Sequence, residues 1–251
     1  MRIIISPAKK MRVDCDSLPP QALPAFLQET ERILSRLREL NREELKRLWK
    51  CSDALVDLNR QRLAEMDLRT MLTPAILSYE GIQYQHMAPA VFTEEELSYV
   101  QEHLRILSGF YGILRPFDGV TPYRLEMQAK LKVDGCKDLY AFWGDQLAKQ
   151  LSWETDCILD LASKEYSQAV KPHLSGKVRW IDCTFGSRKE GKIVEEGTLC
   201  KMARGEMVRF LASEQAETIE RAKEFQALGF SYAAEESTEE RLVFLKEESK
   251  C

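Results

Sequence analysis

The stretch Arg2-Ile-Ile-Ile-Ser-Pro-Ala-Lys-Lys10, RIIISPAKK, decides how the chain is read. Three isoleucines in a row, closed by Ser6 and Pro7, have the pattern of a short strand buried on both faces and ended by a tight turn. Such a strand starts a central sheet, and a turn at the end of a sheet strand is where side chains meet a ligand. Ser6, Lys9 and Lys10 are therefore candidate site residues, although a loop lysine on its own is ordinarily just solvated.

Downstream of this strand the pattern turns helical. Leu27, Ile33, Leu34, Leu37 and Leu40 fall near one face, Asn41 with Glu44 forms a capping box for a helix through Leu45, Leu48 and Trp49, and Ser52 to Met66 continues likewise. Thr93 and Glu96 form a second capping box, and Leu97, Val100, Leu104 and Leu107 predict a helix running to a stop at Gly109. The second half switches to strands: Cys157 to Leu161, then Lys177 to Phe185 and Lys192 to Val194 about a GSRKEG turn. Helices are predicted over Leu199 to Leu211 and over Gln215 to Leu228, the latter ended by Gly229, and Phe230 to Ala233 with Arg241 to Leu245 reads as a last strand pair. With no repeats and no low-complexity linker, the expectation is one α+β domain spanning residues 1–251.

At 44% hydrophobic and 30% charged residues, with no apolar run near the ~20 residues of a membrane span, the composition is that of a soluble protein. The N-terminus is too short in apolar residues for a signal peptide, so a cytoplasmic location and no membrane partner are expected. Seven cysteines form no CxxC pair and no ligand-like spacing with the three histidines, which predicts reduced thiols, no metal site and no cofactor. Net charge is −4 but uneven: residues 164–209 hold ten Lys/Arg against six acids, and residues 213–251 hold ten Glu against five Lys/Arg. A fold that joined the basic segments would carry one positive face; scattered, solvated charge is the equal alternative.

Leu107-Ser-Gly-Phe-Tyr-Gly-Ile-Leu114 places Gly109 and Gly112 three apart after the expected helix, a spacing that permits positive φ and exposes backbone N–H groups to a phosphate. A structural turn behind a helix stop accounts for it equally well. Arg115, Arg124 and Glu126 follow closely; the guanidinium groups suit phosphate, and Glu126 is an acid–base candidate or an ion-pair partner. Ser163 can cap a helix start, where Ser163 and Lys171 suit an anion, with Glu165 and Tyr166 beside them. In Lys201-Met-Ala-Arg204-Gly205 a glycine inside a predicted helix costs ~1 kcal/mol, which implies close approach of another backbone or of a ligand.

Taken together, ISPAK at Ile5 to Lys9, LSGFYGILRP with PYRLEM at Leu107 to Met127, LYAFW at Leu139 to Trp143, LASKEY at Leu161 to Tyr166 and ARG at Ala203 to Gly205 resemble the YaaA family of bacterial peroxide-stress proteins over nearly the full chain. Ile82 in GIQY replaces that family's acid, and Asp160 stands where Asn is usual. The resemblance implies a β-rich, barrel-like core wrapped by helices, a helix-hairpin-helix, peroxide protection through limiting free iron, and binding of duplex or structured DNA with little sequence preference. No cysteine falls inside a matched block, which argues against direct peroxide reduction by a thiol. Two functions follow. The first is a non-catalytic DNA-binding stress protein that contacts phosphates through Lys9, Lys10, Gly109, Gly112, Arg115, Arg124, Ser163, Lys171, Lys201 and Arg204. The second is an enzyme acting on a nucleotide or other phosphorylated molecule, with Ser6, Glu126, Glu165 and Tyr166 as its reactive set; carboxylates facing a deep polar cleft would favour it.

Overall fold

The computed structural model describes residues 1–246; Cys251 lies outside the described residues. Its main sheet has eight strands: β1 (Arg2–Ile5), β2 (Leu104–Ser108), β3 (Gly112–Leu114), β4 (Cys157–Leu161), β5 (Arg179–Lys189), β6 (Lys192–Val194), β7 (Phe230–Tyr232) and β8 (Arg241–Lys246). The order is β7-β8-β5-β4-β1-β2-β3, with β6 hairpinned onto β5. Strand β1 lies between β2 and β4, parallel to both, with Ile3 opposite Leu104 on one side and Leu159 on the other. Burial on both faces explains the unbroken isoleucine run: Ile3, Ile4 and Ile5 are at most 1% exposed. The strands β4, β5 and β8 continue the parallel set, while β7 and β3 close the two ends antiparallel.

Helices flank this sheet: α1 (Leu27–Arg38), α2 (Arg42–Trp49), α3 (Asp53–Glu65), α4 (Ile82–Met87), α5 (Glu94–His103), α6 (Leu139–Trp143), α7 (Gln146–Glu154), α8 (Lys164–Ser167) and α9 (Gly197–Ser213). Both expected capping boxes are present, Asn41 with Glu44 and Thr93 with Glu96. No helix is long and apolar enough to cross a membrane among the described residues.

Three expectations are corrected. Among the described residues no pairing joins the two ends of the main sheet, so the core is an open, mostly parallel sheet covered by helices, and not a barrel. The helix from Glu94 ends at His103, and Leu104–Ser108 is strand β2, buried at every position. The apolar spacing of Leu97, Val100, Leu104 and Leu107 suits a helix, but Leu104–Ser108, buried beside β1, gains more by pairing with it. Arg105, 2% exposed, seals the junction by donating Nη1 to the carbonyls of Gln101, Glu102 and Leu104 and Nε to Glu154 at 2.7 Å. The segment Gln215 to Leu228 keeps only four helical residues, Ile219–Ala222, which start after an extended Thr218.

With β2 and β3 antiparallel and Ser108 opposite Gly112, the Gly109–Gly112 segment is a β-hairpin and not a helix-hairpin-helix. It is interior: Ser108, Phe110 and Tyr111 are at most 1% exposed. The glycines serve packing. A Cβ on Gly109 would press on the backbone at Glu126 and Met127, and one on Gly112, whose φ is +75°, would strike the Trp143 ring at 2.9 Å. Trp143 in turn donates Nε1 to the Gly109 carbonyl at 3.1 Å. The hairpin is therefore the bed on which the PYRLEM segment and α6 lie.

Candidate functional site

Parallel strands β1 and β4 deliver two loops to the same edge, at their carboxyl ends, the usual ligand position in sheets of this kind. The loop after β1 carries Ser6 to Lys10 and the one after β4 carries Ser163 to Tyr166. They are stitched together: the Ser163 N–H donates to Ser6 Oγ at 2.8 Å, and the Ser6 hydroxyl donates to Ser163 Oγ at 3.2 Å. Ser163 is thus the first flanking residue of α8, as expected, but its side chain turns to Ser6 and does not cap the helix. Tyr84 of α4 donates to the Ser6 carbonyl at 3.0 Å and holds the β1 loop from the other side.

Over these loops lies a pocket of about 410 Å³. Ser6, Lys9, Lys10, Arg124, Glu126, Ser163, Glu165, Tyr166, Lys201 and Arg204 all line it, which brings four separate sequence blocks to one place. Arg115 and Lys171 are elsewhere. Arg115 lines a different pocket beside Arg105, Asp118 and Glu154, and Lys171 is paired with Asp182 at 2.7 Å over the Trp180 ring. Gly109 and Gly112 lie beneath the pocket wall, buried.

Gly205 shows how Arg204 arrives. Helix α9 packs so closely on α4 that a Cβ at Gly205 would collide with the Gln83 carbonyl and stand 2.9 Å from His86 Cβ. The close approach expected from a glycine inside a helix is thereby met, and it sets Arg204 beside Gln83. Across the pocket, Arg124 donates Nη2 to the Trp49 carbonyl at 3.4 Å.

Four buried side-chain nitrogens lack any hydrogen-bond partner among the described residues, and three of them, Gln83 Nε2, Arg124 Nε and Arg204 Nε, belong to residues of this pocket. Buried donors are nearly always satisfied, so three unpartnered ones on residues that line a single pocket point to acceptors that belong there. The acids present do not fill it. Glu126 is taken by Lys9 at 2.6 Å and Glu80 by Lys10 at 2.8 Å. Glu165 accepts the Gln128 N–H at 3.2 Å, and burial raises its pKa, an effect that the Glu126 carboxylate reinforces and that hydrogen bonding and Lys9 oppose. A carboxyl group whose pKa burial raises, in a pocket that two guanidinium groups also line, can give or take a proton on a bound anion.

Sequence reasoning missed Gln83, Tyr84 and Tyr123. Tyr123 belongs to a buried hydroxyl chain, 2.6 Å from Ser108 Oγ and 2.9 Å from the Tyr79 hydroxyl, and only its place in the PYRLEM block hinted at it. Ile82 lines the pocket, so an apolar side chain sits there in place of the acid the resemblance led one to expect. None of the six cysteines among the described residues lines the pocket or forms a disulfide, and burial pushes the Cys200 thiol up to about 11.

Asp160 lies behind the pocket, 6% exposed, accepting the Ala162 N–H at 2.8 Å and the Ser167 hydroxyl at 2.6 Å. Burial pushes its pKa up to about 6, against these hydrogen bonds. Because the folded value exceeds the unfolded one, the folded chain holds the proton longer, and stability falls as pH rises from about 4 through 6. Asp160→Asn is therefore expected to stabilise the protein by about 1–3 kcal/mol at pH 7.5 and by nothing near pH 4. Thermal melts of both proteins across that range test it; a constant difference would disprove the buried-acid account.

The fold and the site together define an α/β protein with a donor-lined pocket at the carboxyl ends of parallel strands. Residues 1–236 match the family model described as peroxide stress protein YaaA, and the chain belongs to that family. A UPF0246 protein of Lachnoclostridium phytofermentans is 54% identical over 249 residues, covering 99% of this chain and 98% of the relative. One from Pediococcus pentosaceus is 50% identical over 248 residues, covering 99% of each.

Proposed function

We propose that the protein serves the peroxide response by binding, and chemically converting, a small phosphorylated molecule of nucleotide size. The observation that carries this reading is that three unpartnered buried donors belong to residues lining one pocket, Gln83, Arg124 and Arg204. Its volume of about 410 Å³ lies within the range of small-molecule sites. Arg124 and Arg204 hold the anion, Lys201 adds charge at the mouth, Ser6 and Ser163 position it, and Glu165 moves a proton. Tyr84, Tyr123 and Tyr166 give a ring-bearing ligand an aromatic wall. In this reading peroxide protection, protection of DNA and the limiting of free iron, all implied by the family resemblance, are downstream of the molecule in the pocket.

The test is a thermal-shift screen of nucleotides and sugar phosphates, followed by phosphorus NMR of each hit. One compound should bind and turn over, and Glu165→Gln should abolish turnover while retaining binding. A screen in which none binds would sink the reading.

DNA binding is the second reading, favoured by the exposed Lys9, Lys10 and Lys201 lining one mouth. It does not call on the buried hairpin. Its mark would be an affinity for unrelated duplexes that falls steeply with salt, each lysine removed lowering the log–log slope by about one.

A further inference from the structure

A second pocket, about 600 Å³, adjoins the first and shares Glu126 with it. Arg47, Lys50, Lys130 and Lys132 line it, all exposed, and none of the four makes an ion pair among the described residues. Both of its carboxylates are engaged, Glu44 in the α2 capping box and Glu126 with Lys9. An anion passing from one pocket to the other therefore meets no uncompensated negative charge at the shared wall.

A cluster of lysines is by itself only a solvated face. Trp49 adds an independent sign: it is 5% exposed, it forms part of the second pocket's wall, and its indole N–H has no acceptor among the described residues. Trp49 Nε1 is the fourth of the four unpartnered buried nitrogens, so every one of them belongs to these two adjoining pockets. Arg124 of the first pocket reaches Trp49 of the second, with Nη2 on its carbonyl and Nε unpartnered among the described residues.

We propose that the two pockets are one site, and that the second receives a further anionic group of the same ligand. The ligand class is then a small, extended polyanion such as a nucleoside oligophosphate, with one end held by the buried donors and the charged chain led out along Trp49 to the lysines. This inference rests on reading the first pocket as an anion site.

The experiment is calorimetric titration of the full chain, at fixed salt, with the mono- and triphosphates of the four common nucleosides. For the nucleoside that binds, the triphosphate should bind at least tenfold tighter than the monophosphate. The exposed pair Lys130→Glu/Lys132→Glu, and separately Arg47→Glu, should weaken the triphosphate at least fivefold more than the monophosphate. Equal affinities for the two, or equal losses in the variants, overturn the joined site and leave the first pocket's role standing. Binding of neither nucleotide overturns the oligophosphate ligand and leaves the first pocket to the sugar phosphates of the screen. A short single-stranded oligonucleotide titrated alongside, if it alone binds, assigns the lysines to nucleic acid and overturns the small-ligand class.

Discussion

Arg204→Ala is expected to weaken binding of the pocket's anionic ligand by roughly tenfold to a hundredfold while leaving the folded protein nearly as stable as its parent. A hydrogen bond to a charged group contributes about 1.5–3 kcal/mol, and Arg204 offers a buried Nε with no partner among the described residues. Removing a donor that is already unsatisfied costs the fold little, in contrast to removing half of a formed pair. Arg204→Lys should recover only part of the affinity, since a single ammonium lacks the planar fork of the guanidinium. The Arg204 charge also favours the Asp160 carboxylate, so melts belong at pH 5, where Asp160 still carries its proton. Calorimetric titration with the screened ligand gives the affinity. Parent-like affinity in a folded Arg204→Ala protein would remove the buried donors from the binding account.

Gly205→Ala should produce the largest loss of stability among conservative changes near the site. In an exposed helix the same change would stabilise by about 1 kcal/mol, so the sign is informative. Here the added methyl would collide with the Gln83 carbonyl and stand 2.9 Å from both His86 Cβ and the Met87 nitrogen. Overpacking against backbone costs about 3 kcal/mol at the upper end, which leaves a net loss of about 2 kcal/mol. For a chain of 251 residues that is a fall in melting temperature of roughly 4–8 °C. Because α9 must shift away from α4, Arg204 and Gln83 separate, and ligand affinity should fall too. A variant melting at or above the parent would show that the helices can part without cost.

Local pattern and tertiary context divide the chain between them in a consistent way. The RIIIS run, the two capping boxes, the hairpin pairing of β5 with β6 and the glycine inside α9 are legible because their causes lie within a few residues: apolar burial on both faces, a side chain reaching its own helix start, a turn, a missing Cβ. The clustering of Ser6, Lys9, Arg124, Glu126, Ser163, Glu165 and Arg204 was legible only through the matched blocks, because no spacing along the chain encodes the meeting of β1 and β4 loops. Leu104–Ser108 reads as helix by period and is strand by pairing, since the partner that outweighs the period is β1, about a hundred residues away. For the same reason Gly109 and Gly112 looked like exposed phosphate binders and proved to be the floor under Met127 and Trp143. Arg115 and Lys171, equally basic in sequence, were turned to other faces by β3 and β5. The amino-acid order alone determined the family, the central strand and the residue types available for binding an anion. Which donors are left without partners, and that all four flank two adjoining pockets, was decided only by tertiary packing, because an unsatisfied hydrogen bond depends on every group brought near it and on none of its neighbours in sequence.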